Sequence, residues 1–155
     1  MRISKFIFTT MFLFVSIAIS YSWSAASQCD LVDSAGKGNL EAIKSCLENG
    51  ADVNEHELFT RTTALIEAAK NGHADCVNVL LLAKDVDVDA RERDGYTALI
   101  ISAEKGYVNI VTQLLAKGAD VNAKTNGGVT ALWIATHEGH NNIVKILKAA
   151  GARSD

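Results

Sequence analysis

The side chains with the greatest capacity for chemistry are the four histidines and three cysteines of a 155-residue chain. His137-Glu138-Gly139-His140 has the outline of a zinc-binding His-Glu-x-x-His segment, which needs its two rings at i and i+4 on one helical face. Here the second histidine comes one residue early and Gly139 interrupts any helix between the rings, so no metal site is expected. His73 and His140 each follow a glycine and are expected as loop residues at a helix turn; His56 lies in a polar loop. Cysteine catalysis needs a thiolate beside a base and an orienting group. Cys76 instead falls at an apolar helical position, which predicts a buried and inert thiol. Carboxylates are spread singly along turns, and Asn126-Gly127-Gly128 neither follows a core strand nor leads into Gly-Lys-Ser/Thr. Neither a paired acid and base nor a phosphate loop is therefore expected, and no cofactor is implied. A small hydrolase using histidine or cysteine is the reading from the enzyme class, and its groups do not converge.

What positions these side chains is a repeat. Thr63-Ala64-Leu65 returns as Thr97-Ala98-Leu99 and as Thr130-Ala131-Leu132, at spacings of 34 and 33 residues. Nine residues after each threonine stands a glycine, Gly72, Gly106 or Gly139, and Gly38 lies 34 before Gly72, which puts Cys29 in the slot of the first threonine. Gly50-Ala51-Asp52-Val53-Asn54 recurs as Gly118-Ala119-Asp120-Val121-Asn122, with a weakened copy at Asp87-Val88-Asp89. Four markers thus keep one period.

Each unit reads physically. The threonine hydroxyl can cap the unpaired N–H groups of a first helical turn. Ala64 to Asn71 then predicts a short helix ended by glycine, with small Ala68 and Ala69 allowing close helix approach. A second helix follows, apolar at Ile110, Val111, Leu114 and Leu115 in one unit and at Ile143, Val144, Ile146 and Leu147 in the next. Its glycine stop is Gly50, Gly118 or Gly151, and Asp-Val-Asn leads into a polar turn such as Arg93-Asp94-Gly95 or Asn126-Gly127-Gly128.

Thr-x-Leu, the alanine pair, Gly-His at Gly72-His73 and Gly139-His140, and Gly-Ala-Asp-Val-Asn together resemble the ankyrin repeat, from Cys29 to about Arg153. The resemblance implies an all-α solenoid of four stacked helix-turn-helix units with hairpin loops, at about 28–54, 55–90, 91–123 and 124–153 within a domain of 27–155. Ala64, Ala98 and Ala131 stand where the family usually has proline, and alanine is the best helix former. Ile66, Ile100 and Trp133 replace the family's histidine, so apolar packing is expected in place of its hydrogen bonds. The second unit has one extra residue and no glycine stop, so Lys84 or Asp85 must turn the chain there, which predicts the weakest inter-repeat junction. Lys37, Asn39, Glu41 and Lys44 would give the first unit a polar outer face. Lys145, Lys148 and Arg153 would do so for the last, over an inner face of Ile143, Ile146 and Leu147.

In ankyrin-like proteins function lies on a concave surface of hairpin tips and outward first-helix positions. Carried over position by position, the resemblance points to Phe59, Thr60, Thr62, Lys70 and Asn71 in the second unit and to Arg93, Asp94, Tyr96, Glu104 and Lys105 in the third. In the fourth it points to Asn126, Val129, His137 and Glu138. These are side chains that packing does not need, held at fixed spacing on a rigid frame. Phe59 and Tyr96, as exposed aromatics beside an arginine, are the expected anchors. For any one of these positions the alternative is a solvated loop residue. Cys29 and Cys46 open and close the two antiparallel helices of the first unit, which makes them the candidate disulfide; the alternative is two small apolar residues in a cap.

The formal net charge is −3, and without Arg2 and Lys5, the only cationic residues before Cys29, 13 basic side chains face 18 acidic ones, or −5. An acidic surface repels phosphates, so the partner expected is a protein, with no nucleic acid and no small-molecule substrate, bound by a monomer. Residues 1–26 resemble a secretory signal peptide: Arg2 and Lys5, the apolar run Phe6 to Ile19, then small residues with cleavage expected after Ala26. The alternatives are an uncleaved anchor, for which the run is short of the roughly 20 residues a span needs, and a lipid-modified Cys29, against which bulky Gln28 argues. The chain is therefore expected to be an exported, periplasmic or secreted, noncatalytic adaptor, stabiliser or inhibitor. The alternative within the binding class is a secreted effector acting on host proteins.

Overall fold

The computed structural model describes residues 29–153; the leader expected at 1–26 and residues 154 and 155 lie outside the described residues. The chain divides into two units, Met1–Asp30 and Leu31–Asp155; only Cys29 and Asp30 of the first are described, and every helix belongs to the second. Among the described residues there are eight α-helices and no strand: α1 Leu31–Gly36, α2 Leu40–Glu48, α3 Ala64–Lys70, α4 Ala74–Leu82, α5 Ala98–Lys105, α6 Val108–Ala116, α7 Ala131–His137 and α8 Asn141–Ala149. Within each unit the two helices pair across a tight turn. α1, α3, α5 and α7 pack in one row and α2, α4, α6 and α8 in a second. This is the all-α repeat solenoid expected from the period, in which each unit is completed by its neighbours.

The threonines start the first-row helices as their chemistry predicts. The N–H groups of Ile66, Ile100 and Trp133 donate to Thr63, Thr97 and Thr130 Oγ1 at 3.4, 3.3 and 3.2 Å. Ala68, Ala69, Ala103 and Ala135 are fully buried, so small side chains do bring the first-row helices close. No helix among the described residues is long and apolar enough to cross a membrane.

His73 and His140 are more than loop residues. Each donates from Nε2 to a carbonyl at the end of the preceding unit's first helix, His73 to Gly36 at 3.0 Å and His140 to Glu104 at 2.9 Å. Their rings lie over Gly38 and Gly106, where an added Cβ would sit 2.8 and 2.7 Å from the imidazole. Tyr107 covers Gly72 in the same way at 2.9 Å, so the phenol ring replaces imidazole in the third unit. These glycines thus serve both the left-handed turn and the ring of the following unit.

A second set of links joins the loops after the second-row helices. Asn54 Oδ1 accepts from Asp87 N–H and its Nδ2 donates to the Asp85 carbonyl, both at 2.8 Å. Asn122 repeats the pair, accepting from Arg153 N–H at 2.9 Å and donating to the Gly151 carbonyl at 3.5 Å. Asp89, the degraded copy, only accepts, from Asp120 N–H at 2.8 Å. An ionised carboxylate has no proton to donate. In the same unit α4 runs out at Leu82, Ala83 turns extended, and Asp85 takes the left-handed position at φ 60° that Gly118 holds at 86° one unit later.

One expectation fails on burial. Ile66 and Ile100 are 0% exposed, as apolar packing requires, but Trp133 in the same slot is 54% exposed. The first two are covered by the next unit's first helix, and no described helix follows α8 to cover the indole.

Candidate functional site

Three hairpins project between the helix pairs, each closed at its foot by one backbone hydrogen bond. Glu57 N–H donates to the Thr62 carbonyl at 3.1 Å, Glu92 to Tyr96 at 3.0 Å and Thr125 to Val129 at 2.9 Å. Between these feet the second and third hairpins hold three residues, 93–95 and 126–128, and the first holds four, 58–61. The residue that must take positive φ is Gly95 at 83° and Gly128 at 79° in the ordinary tips, but Arg61 at 59° in the enlarged one. A non-glycine residue there costs about 1–2 kcal/mol. The enlarged tip carries Leu58 and Phe59 at 89% and 86% exposure. It is braced from within: Thr60 Oγ1 donates to Glu57 Oε2 at 2.8 Å and accepts from Thr62 N–H at 3.2 Å.

The other two tips are knitted to each other. Asn126 N–H donates to the Asp94 carbonyl at 3.0 Å, its Nδ2 to the Arg93 carbonyl at 3.0 Å, and Arg91 to the Lys124 carbonyl at 2.8 Å. The first tip joins them through one bond, Arg93 N–H to the Thr60 carbonyl at 2.8 Å.

Below the tips, the C-terminal ends of α3, α5 and α7 form a mixed-charge ridge. Lys70 pairs with Glu67 at 3.6 Å, Lys105 with Glu104 at 3.4 Å, and His137 Nδ1 donates to Glu138 at 3.1 Å. Asn71 Nδ2 turns back onto the Glu67 carbonyl at 2.9 Å. Glu92, at the foot of the second hairpin, feels two adjacent first-row helices: burial pushes its carboxyl above the ordinary 4.5, Lys70 draws it down, and Asp94, Glu67 and Glu104 push it further up. The His137 ring stacks on Trp133 with centroids 5.2 Å apart, while His140 is held at Glu104, so the two histidines of the His-Glu-Gly-His segment serve different neighbours. Among the described residues no cluster could hold a metal ion. Cys76 is buried and free, its thiol raised by burial and then by Asp75.

The residues expected to face a partner divide accordingly. Phe59, Thr60, Lys70, Asn71, Arg93, Asp94, Lys105, Asn126, His137 and Glu138 are exposed, and Glu104 is half-buried. Thr62 is not available: it is 4% exposed. Thr62, Tyr96 and Val129 share one register, the last residue before the capping threonine, which lies against the first turn of the helix. Tyr96 and Val129 are accordingly half-buried, so Tyr96 is not the exposed anchor expected. Asn126 is on the surface but its amide is committed to Arg93. Sequence reasoning passed over Leu58, although an apolar pair inside a hairpin one residue longer than its fellows was a visible signal. It also passed over Glu92 and the exposure of Trp133.

Stacked helix pairs with braced hairpins define a repeat scaffold that presents surface residues. A family model described as "Ankyrin repeats (3 copies)" matches residues 31–125 and 82–155. The chain belongs to the ankyrin-repeat family, and its repeats form a protein–protein interaction module. It is 36% identical over 105 residues to a probable E3 ubiquitin-protein ligase of Oryza sativa subsp. japonica, covering 67% of this chain and 20% of that protein. It is 40% identical over 72 residues to cortactin-binding protein 2 of Rattus norvegicus, covering 46% and 4% of the two chains. Against the nuclear factor NF-kappa-B p105 subunit of Gallus gallus it is 44% identical over 76 residues, covering 49% and 8%. The chain thus spans a fifth or less of these relatives.

Proposed function

We propose that this chain is an exported, noncatalytic adaptor, stabiliser or inhibitor that grips a protein partner through its hairpin tips and the adjoining ridge of first-row helix ends. The observation that carries the reading is the first tip. Its sequence departs from the repeat by one residue, accepts a strained arginine, and uses the space to hold Leu58 and Phe59 in water on a braced loop. Exposed apolar pairs of this kind mark interaction sites, and an aromatic side chain brings large contact area with few rotors to immobilise. The ligase activity in one relative's name belongs to a protein of which this chain matches a fifth, and is not carried over. Export rests on the basic n-region and apolar run of residues 2–19. A disulfide between Cys29 and Cys46 is part of the same proposal, since an oxidising compartment would let it form across the edge unit.

Affinity capture from the exported compartment tests the reading, comparing the wild type with a variant changing Leu58, Phe59 and Arg93 together. The variant is expected to lose a partner that the wild type retains. Identical captured sets would remove the proposed face, and cell fractionation separates a resident protein from a secreted effector.

A further inference from the structure

The joints between units are not equally fastened. Where the first and second units meet, His73 donates to the Gly36 carbonyl, and Asn54 both accepts from Asp87 N–H and donates to the Asp85 carbonyl. The third and fourth repeat the scheme with His140 on Glu104 and with Asn122 on Arg153 and Gly151. The joint between the second and third keeps half of each device. Tyr107 lies over Gly72 as an imidazole would, but among the described residues its hydroxyl reaches no carbonyl. Asp89 accepts from Asp120 N–H and has no proton to return. The tips show the same inequality. Among the described residues Arg93 N–H to the Thr60 carbonyl is the single bond between the first and second tips, whereas Asn126 N–H, Asn126 Nδ2 and Arg91 all tie the second to the third. Carboxylates also gather at this joint: Glu67 of the second unit and Asp94 and Glu104 of the third act on Glu92, with Lys70 as the opposing cation.

We infer that the array hinges between its second and third units, so that the first tip and the knitted pair of tips close on a partner as two separate jaws. What holds this joint is apolar, with Ile66 of α3 fully buried beneath α5. Apolar burial is non-directional, whereas hydrogen bonds fix an angle. A joint rich in the first and poor in the second stays closed while its packed helices slide. The break falls between Phe59 and Arg93, inside the surface proposed to bind, so the partner sets the spacing of the jaws and ordering the joint offsets part of the binding energy. The inference rests on that surface and adds its division into two bodies.

Nuclear magnetic resonance of the full chain tests the hinge with no partner present. Amide residual dipolar couplings fitted separately to residues 31–90 and 91–153 should give alignment tensors of different magnitude, whereas 91–123 and 124–153 should share one. The amides of Arg93 and Asn126 make the corresponding tip-to-tip bond at two joints, and Arg93 should be about tenfold less protected from hydrogen exchange. Asp89→Asn combined with Tyr107→His supplies what the other joints have, aimed by register at the Gly118 and Lys70 carbonyls. That variant should bring the two tensors together and raise the protection of Arg93 by about tenfold. A single tensor for the whole wild-type array, equal protection at Arg93 and Asn126, or a double variant that behaves as the wild type would overturn the inference. The outcomes are separable from those of partner capture: a rigid array leaves the tip surface standing, and unchanged capture by the Leu58, Phe59 and Arg93 variant leaves the hinge but removes its jaws.

Discussion

The second and third hairpin tips and the first are built on the same foot, and they are used differently. In the former, Gly95 and Gly128 make the turn without strain and Asn126 turns its amide onto the neighbouring tip. In the latter an extra residue and a left-handed Arg61 hold two apolar side chains largely in solvent. Where a tip follows the repeat it serves the frame. Where it departs, the departure leaves a surface that stacking does not explain. At position 85 the same kind of departure, a non-glycine residue at positive φ, falls in a joint between units instead of a tip.

The largest expected effect concerns the edge unit that supports the first tip. In the chain-entropy model a Cys29–Cys46 bond closing a loop of this size contributes about 3 kcal/mol. Denatured exported protein should show two more alkylatable thiols after reduction than before, and Cys29→Ser with Cys46→Ser should lower the urea midpoint accordingly. Three thiols without reduction would remove the bond.

Next comes the contrast between tips. Asn126→Ala deletes the side-chain bond to Arg93 and is expected to cost about 0.5–1.5 kcal/mol in urea unfolding. Phe59→Ala, at a fully solvated position, should stay within about 0.5 kcal/mol of wild type. Equal losses in the two variants would erase the distinction between frame and functional tip. The joint after α4 gives a gain in the other direction: Asp85→Gly relieves the left-handed strain and should stabilise by about 1 kcal/mol. Amide exchange at residues 83–88, faster than at Gly118 in the wild type, should slow in that variant.

The smallest effect is electrostatic. The folded-state carboxyl of Glu92 lies above its ordinary value through burial first and through Asp94, Glu67 and Glu104 after Lys70's opposing pull. A raised carboxyl binds its proton more tightly in the folded chain, so its effect is absent below the unfolded value and its ionisation lowers stability as pH rises through the folded one. Glu92→Gln should therefore raise the melting temperature slightly at pH 7 and leave it unchanged near pH 4. With solvent screening at this partly exposed site the gain is a fraction of a kcal/mol. A larger benefit at the lower pH would contradict the assignment.

The frame was legible because repetition exposes it. Thr63, Thr97 and Thr130 cap helices for a reason contained in one side chain and its nearest backbone, and the missing glycine stop located the turn within one residue of Asp85. What escaped the sequence depends on contacts between units. His73 and His140 look like turn residues until the carbonyls of Gly36 and Glu104, 37 and 36 residues earlier, come within reach. Thr62 is polar and sits beside a loop, yet its register at the helix entrance buries it. Trp133 follows the pattern of two buried isoleucines yet is exposed, since no described helix packs over it. Site residues are chosen by such burial, which the period alone does not encode.

The most direct test of the account is titration calorimetry of the captured partner against the wild type and Phe59→Ala at matched folded fraction. At least a tenfold loss of affinity, about 1.4 kcal/mol, with an unchanged melting temperature is the predicted result. Equal affinity in the two proteins would contradict it, and the first tip would then be a tolerated irregularity in an otherwise regular scaffold.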